Sequence, residues 1–394
     1  MIDVRFIESA DGFAAIAPAW RALAATVPDV LPFLTPHWCT AWYSTFASRA
    51  DPRVIVVFEG KRLDAVMPLM FQRVLRGPGL SVRFDYDKTD KAILSHKPRF
   101  RFLPIRQLTF PMNLESASLR GGILSRPGRE MSVLRALFAA FESRSDWDLA
   151  VLPCDGETAK KWSEVLNSTA MPFFVRDGHR QFYTTKITQT WDDYLLTKSK
   201  KFRQNSRRSD VAAMKFDRRL QSWTLTGAEV TEEKLAHFFE IGRRSWKIGA
   251  RKGVDFYLPI TDKLTEFNRR VCGLNSLSDV TPVLHLVGGS ELYAGMLCFK
   301  SGGRLLASQT YYDFSVRHIS PGRLLAREVW RWSWDNKVNI IDWNGFSSYV
   351  QSFADHSDDF FQVLVFRNNL GGRMLKTLSE KMGGSLLSQG LTND

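Results

Sequence analysis

The chain opens on an alternating run, Met1-Ile2-Asp3-Val4-Arg5-Phe6-Ile7-Glu8, which reads as a strand. The segment Val57–Met67 reads strand, turn, strand, with Gly60 where a tight turn asks for positive φ. The same pattern returns at Leu286–Met296. Gly289 stands where Gly60 did, Leu292 where Leu63 did, Ala294 for Ala65 and Met296 for Met67. A second echo follows in the same order. Pro127-Gly128-Arg129 opens an amphipathic helix to about Phe141, before the apolar strand Asp148–Leu152. Pro321-Gly322-Arg323 opens another, before the strand Val338–Trp343. The chain therefore reads as one α/β unit built twice. From turn glycine to PGR glycine is 68 residues in the first copy and 33 in the second, so the first carries an insertion of about 35, placed at about 73–107.

In the second copy a Thr-capped helix from about Thr231 to Lys247 puts Leu235, Phe238, Phe239, Gly242 and Trp246 on one stripe. Three strands follow, Pro282–Val287, Leu292–Lys300 and Arg304–Tyr312. Short glycine-bearing turns join them, which predicts an antiparallel meander. A last strand is expected at Phe361–Arg367. The strand Pro172–Val175 and a turn at Asp177-Gly178 place the boundary between copies at 178/179, giving domains 1–178 and 179–394.

Composition is that of an ordinary globular chain, 44% hydrophobic and 24% charged, which excludes long disorder as the main content. Lys and Arg number 54 against 41 Asp and Glu, a formal net charge of +13 that favours an anionic partner. No apolar run approaches a spanning helix, and the charged N-terminus is unlike a signal peptide. The four cysteines, Cys39, Cys154, Cys272 and Cys298, form no CxxC pair, and the histidines have no metal-binding spacing. Reduced, buried thiols in a cytoplasmic protein without a metal are the expectation.

The most informative motif is His318-Ile319-Ser320-Pro321-Gly322-Arg323-Leu324-Leu325. Ser320 suits an N-cap and Pro321 the first helical position. The amides of Gly322, Arg323 and Leu324 would leave the helix end toward an anion, with Arg323 adding charge. A capped helix that binds nothing fits the same residues. Trp330, Trp332 and Trp334 do not share one face, and packing between the halves explains them better than a sugar platform. Lys198, Lys200, Lys201, Arg203, Arg207 and Arg208 form the densest basic patch, read either as a solvated helix face or as a site for an anionic acceptor, a CoA phosphate or RNA. His285, on an apolar strand, reads as a buried, hydrogen-bonded residue.

The order of these elements resembles the GNAT acyltransferase core, and the wider pattern the tandem-GNAT acyltransferases found with bacterial cellulose and exopolysaccharide genes, relatives of the Fem peptidyl transferases. The matching residues are Trp191-Asp192-Asp193-Tyr194-Leu195 with Lys200-Lys201-Phe202-Arg203; Arg244-Ser245-Trp246-Lys247; Ser320-Pro321-Gly322 with the strand ending in Asp342; Phe33–Trp38; and Met67-Pro68-Leu69. The resemblance covers most of the chain, from about residue 15 to 375. The resemblance implies two GNAT-like domains, each a mixed, mostly antiparallel sheet flanked by helices, and acetyl-CoA or another acyl-CoA as co-substrate. It puts the donor diphosphate on Ser320, Gly322, Arg323 and Leu324, and the pantetheine arm between Leu306–Tyr312 and Val338–Trp343, near Tyr311 and Asn344. Tyr349 stands where relatives protonate the leaving thiolate. Trp246, Lys247, Arg203 and Arg207 are implied for the acceptor. The first half is expected to shape the acceptor groove. A departure is the missing lysine of the relatives' Tyr-Lys pair, since Val350 follows Tyr349.

Acyl transfer needs a base for the acceptor. Asp342, ending the strand that lines the expected cleft, ranks ahead of Asp313 and His356. The implied acceptor is a sugar or sugar nucleotide of envelope polysaccharide synthesis, with no DNA and with room for peripheral association with membrane polysaccharide machinery. Two other readings stand: a Fem-like transferase taking its group from aminoacyl-tRNA, against which the absence of coiled-coil heptads counts, and a degenerate GNAT pair that only binds a nucleotide or partner.

Overall fold

The computed structural model describes residues 2–46, 51–75, 104–113, 116–245, 260–273, 279–345 and 348–387. The first half runs β1 (Ile2–Ile7), α1 (Ala10–Ala24), α2 (Pro36–Phe46), β2 (Asp51–Glu59), β3 (Arg62–Leu75), β4 (Pro104–Thr109), β5 (Leu124–Ser125), α3 (Glu130–Ser143), β6 (Leu149–Asp155) and α4 (Gly156–Leu166). The second continues with β7 (Phe173–Lys186), α5 (Trp191–Thr197), α6 (Lys200–Phe216), β8 (Gln221–Thr226), α7 (Glu232–Arg243), α8 (Asp262–Gly273), β9 (Thr281–Gly288), β10 (Leu292–Ser301), β11 (Arg304–Tyr312), α9 (Pro321–Asp335), β12 (Ile340–Asp342), α10 (Ser348–Gln351), β13 (His356–Phe366) and α11 (Leu370–Leu387).

The strands make one mixed, mostly antiparallel sheet flanked by helices, in the order β1-β2-β3-β4-β6-β13-β7-β12-β11-β10-β9-β8, with β5 on β3. The two ends mirror each other. β1 to β4 are antiparallel, and β4 then meets β6 in parallel. β8 to β11 are antiparallel, and β11 meets β12 in parallel. β7 and β13 stitch these units together. The latter half of β13 lies between β6 and the first part of β7, while the second part of β7 pairs with β12.

The boundary expected at 178 falls inside β7. The turn predicted at Asp177-Gly178 is not formed, because β7 runs through it beside an irregularity between Asp359 and Phe361 of β13. Gly178 serves a close approach instead: a β-carbon there would come within 2.2 Å of the Phe360 ring. Gly60 does take positive φ (62°), whereas Gly289 does not. Gly289 is small because a β-carbon would meet the Asp217 carboxylate at 2.4 Å. The first-half insertion is bounded by β3 and β4, which pair with each other, and residues 76–103 lie outside the described residues.

The halves also share a core. Trp38 of α2, fully buried, meets Phe267 of α8 and Phe299 of β10 at ring separations of 5.1 Å, and His37 Nε2 lies 2.8 Å from the Val271 carbonyl. A second cluster lies under α3 and α4, and a third under α9. Trp330 belongs to that third cluster. It stacks on Tyr194 at 3.8 Å and donates to the Gln189 carbonyl, so it fixes α5 to α9 within the second half rather than packing between halves. Residue 334 stays exposed on the same helix.

Candidate functional site

β11 and β12 pair only from Arg304, Leu305 and Leu306 to Ile340, Ile341 and Asp342. Past that point they part. The Trp343 amide donates to the Tyr183 carbonyl of β7, while β11 continues along β10 as far as Tyr312. α9 packs in one cluster with Leu305 of β11 and Ile341 of β12, and its first turn is half-buried. Ser320 closes the preceding 3-10 turn, Phe314–Ile319, in the left-handed conformation (φ 54, ψ 57), its N–H donating to the Arg317 carbonyl, and so lacks the extended backbone of a capping residue. It therefore makes no side-chain cap, contrary to the expectation. Its carbonyl still accepts from Arg323 N–H at 2.9 Å. The amide of Gly322 finds no acceptor among the described residues, and no acid stands in the first turn. Such a helix end carries partial positive charge and an open donor.

Around it the structure gathers Gly322, Arg323 and Tyr349. A β-carbon on Gly322 would come within 2.8 Å of the Tyr349 hydroxyl. The Arg323 guanidinium lies over the rings of Phe202 (5.0 Å) and Phe353 (5.8 Å), and its Nη1 is enclosed without a hydrogen-bond partner. The Tyr349 ring meets Phe353 at 5.0 Å. Tyr349 keeps 38% of its surface exposed, yet loss of water around the phenol raises its pKa above the usual tyrosine range, the Arg323 charge opposing this in part. An orphaned guanidinium nitrogen, the Gly322 amide and a glycine that lets the Tyr349 hydroxyl come close fit a phosphate-bearing ligand. Leu324 contributes only its backbone, since its side chain is buried under α9.

The other expected residues lie elsewhere. Asp342 has no exposed surface. It pairs with Arg120 from the first half and with Arg304 at 2.9 Å, and accepts from Asn344 N–H at 3.1 Å. Asn344, itself left-handed (φ 46), donates from its side chain to the Ala117 carbonyl at 2.7 Å. The two residues thus form a buried seam where residues 116–120 meet β12. This placement, with no exposed surface and two guanidiniums on the carboxylate, joins Asp342 to the first half and does not present it to an arriving acceptor as the expected base. Tyr311 is turned into the core against Phe238 (5.0 Å). Asp313 pairs with Arg244 at 3.0 Å and accepts from the Ser315 amide, and exposed His356 lies 3.0 Å from Asp358. Arg203 donates to the Leu196 and Lys198 carbonyls. Arg207 faces solvent, opposite the buried side of α6. Trp246 and Lys247 lie outside the described residues.

The first half shows what an occupied counterpart looks like. There the Gly128 amide donates to its own Glu130 carboxylate at 3.1 Å, and Arg129 is bound to Glu59 (2.6 Å). Asp64, almost wholly buried, holds Arg62 and Arg126, and these cations keep its pKa low. The gap beyond the β4–β6 pairing is filled by backbone, Gly121 donating to the Pro153 carbonyl.

Reading the sequence did not find Arg120 or Arg304, since nothing local marks an arginine as the partner of a distant aspartate. The aromatic cage of Phe202 and Phe353 was missed for the same reason. Among the described residues no group of three or more His, Cys, Asp or Glu is placed to hold a metal, and no helix is long and apolar enough to cross a membrane. The four cysteines are free and buried, as expected.

Residues 200–350 match a family model described as an acetyltransferase (GNAT) domain. That stretch holds the parted strands, the start of α9 and Tyr349, so the chain carries a GNAT acyltransferase domain, of a type that typically takes acyl-CoA as donor. The fold is similar to the crystal structure of FemX (10% identity, TM-score 0.57, covering 95% of this chain and 100% of that one). It is also similar to the C-terminal domain of a putative lysylphosphatidylglycerol synthetase from Agrobacterium fabrum (7%, 0.51, 97% and 99%). A tandem GNAT protein from the clavulanic acid biosynthesis pathway aligns at 11% identity with a TM-score of 0.46, covering 92% and 98%. No curated protein matches the chain in sequence.

Proposed function

We propose that the chain is an acyl-CoA-dependent acyltransferase with one donor site, in the second half, acting on an amine or hydroxyl of a sugar or sugar nucleotide used in envelope polysaccharide synthesis. The observation that carries the donor site is the contrast between the two helix starts. The first-half cradle is satisfied by Glu130 and Glu59, whereas that of α9 offers the Gly322 amide and an unpartnered Arg323 nitrogen. The donor supplies an activated acyl group.

The chain's own residues do the rest. The Gly322 N–H and Arg323 would hold the diphosphate at the start of α9, and the parted β11 and β12 would take the arm. Tyr349 is protonated across neutral pH, as an ordinary tyrosine is, and loss of water raises its pKa further, so it stands in the state a proton donor to a leaving thiolate needs. With Asp342 and Asp313 both engaged, deprotonation falls to water or to the acceptor's own basicity, which suits an amine better than a hydroxyl. The acceptor class rests on the resemblance stated above. Release of free thiol from acetyl-CoA by the whole chain, assayed with amino sugars, neutral sugars and their nucleotide forms, tests the reading. Thiol release that depends on a sugar amine supports it. No acceptor-dependent release from any acyl-CoA, with transfer from aminoacyl-tRNA instead, would contradict it.

A further inference from the structure

We propose that the outer face of α6 docks the protein on an anionic lipid surface. The helix is two-sided. Phe202, Ser206, Ser209 and Ala213 form its buried side, and Ser199 caps its start by accepting from Phe202 N–H. Its one acid, Asp210, is taken by Arg327 of α9. The outer side carries Lys200, Lys201, Arg207, Arg208 and Lys215, none of which has an acidic partner among the described residues. An ordinary solvated helix supplies its own counter-charges, as α8 does where Glu266 holds Arg269 and Arg270. α6 supplies none, so the face is built for charge from outside.

Apolar side chains stand among those cations. Met214 is 70% exposed, Val211 51%, and Leu196, at the end of α5 where Arg203 ties the two helices together, 73%. At 100° per residue Arg207, Val211 and Met214 share one ridge, with Arg208 and Lys215 flanking it. Lysine and arginine stems extend along apolar surface while their heads stay among headgroups, and exposed aliphatics enter the acyl boundary. Basic clusters of this kind are attracted to anionic leaflets. A nucleic acid is the other extended anion, but it would ask for stacking aromatics. Phe202 is buried, and Phe216, though 39% exposed, is the one open aromatic of the helix and is held edge-on by Tyr293 and His318. The mixture of cations and open aliphatics therefore favours lipid. Because Arg323 lies on Phe202, on the inner side of the same helix, docking would leave the start of α9 behind α6, a helix diameter (~10 Å) from the headgroup layer. The inference does not depend on the acyl-transfer reading.

The test is co-sedimentation of the whole chain with phosphatidylcholine vesicles and with mixed phosphatidylcholine–phosphatidylglycerol vesicles. The wild type is expected to bind only the mixed vesicles, and less as salt rises. Arg208→Gln with Lys215→Gln should weaken binding about 30-fold. Val211→Ser with Met214→Ser should weaken it about tenfold, and neither pair should change the thermal midpoint, since all four side chains are exposed. Absence of phosphatidylglycerol-dependent binding overturns the proposal. So does wild-type binding by the Val211→Ser, Met214→Ser variant together with displacement from vesicles by an RNA oligonucleotide, which would mark the face as a nucleic-acid surface.

Discussion

Arg120→Ala is expected to loosen the two halves from each other. In the wild type its guanidinium is 5% exposed, pairs with fully buried Asp342 and lies 4.3 Å over the Phe182 ring. Removing one partner of a buried ion pair costs about 3–5 kcal/mol, because the other charge is left uncompensated. Here Arg304 at 2.9 Å and the Asn344 amide at 3.1 Å remain on the carboxylate, which puts the loss near the lower end, about 3 kcal/mol. Loss of the ring contact adds about 1 kcal/mol, for a total of about 4 kcal/mol. Urea unfolding of the whole chain, followed by tryptophan fluorescence, measures it. Asp342→Asn should be destabilising too, and the double variant should be about 2 kcal/mol less unstable than the sum of the singles. Additivity within about 0.5 kcal/mol, or a cost for Arg120→Ala below about 1 kcal/mol, would refute the reasoning. The same set separates weld from base: at temperatures where Asp342→Asn is folded, its turnover should stay within a few-fold of wild type.

Other outcomes follow from named groups. Tyr349→Phe should lower kcat about 100-fold while leaving CoA affinity nearly unchanged, as read by turnover and calorimetry. Because the phenol acts protonated and its pKa is raised, kcat should show no alkaline fall from this group below the usual tyrosine range near pH 10. His285 is fully buried, and burial lowers its pKa to about 3. An unfolded chain takes up that proton near pH 6.5, so stability should be whole above 6.5 and decline toward pH 3, by about 2 kcal/mol at pH 5. Chemical denaturation across pH should show a flatter profile for His285→Gln. None of the four buried cysteines, whose thiols burial pushes up, should react with a thiol reagent before unfolding.

Local signals carried much of this architecture. The meander β9–β11 was legible because short glycine turns separate runs of the right length, and Pro321-Gly322 announced a helix start. Thr231 caps α7 as its sequence suggests, accepting from the Lys234 amide. What escaped depends on distance along the chain. Phe361–Arg367 reads as a strand, but nothing in it says that β13 begins at His356 and lies between β6 and β7. Asp342 was correctly placed at a strand end, yet its partner stands 222 residues away, and that partner turns a would-be base into a weld. Ser320 shows a competition between two local rules. Serine favours capping the helix after it from an extended backbone, but Ser320 also closes the 3-10 turn before it in the left-handed conformation, and the second role prevailed. Glu130 was visible in the sequence, but that its carboxylate closes the first-half cradle appears only when Gly128 is seen to donate to it.

Calorimetric titration of the whole chain with CoA, beside its Gly322→Ala, Arg323→Ala and Arg129→Ala variants, tests the central claim most directly. The account predicts one site per chain, weakened about tenfold or more by either change at the start of α9 and untouched by Arg129→Ala. Two sites per chain, or affinity indifferent to Gly322→Ala and Arg323→Ala, would contradict it.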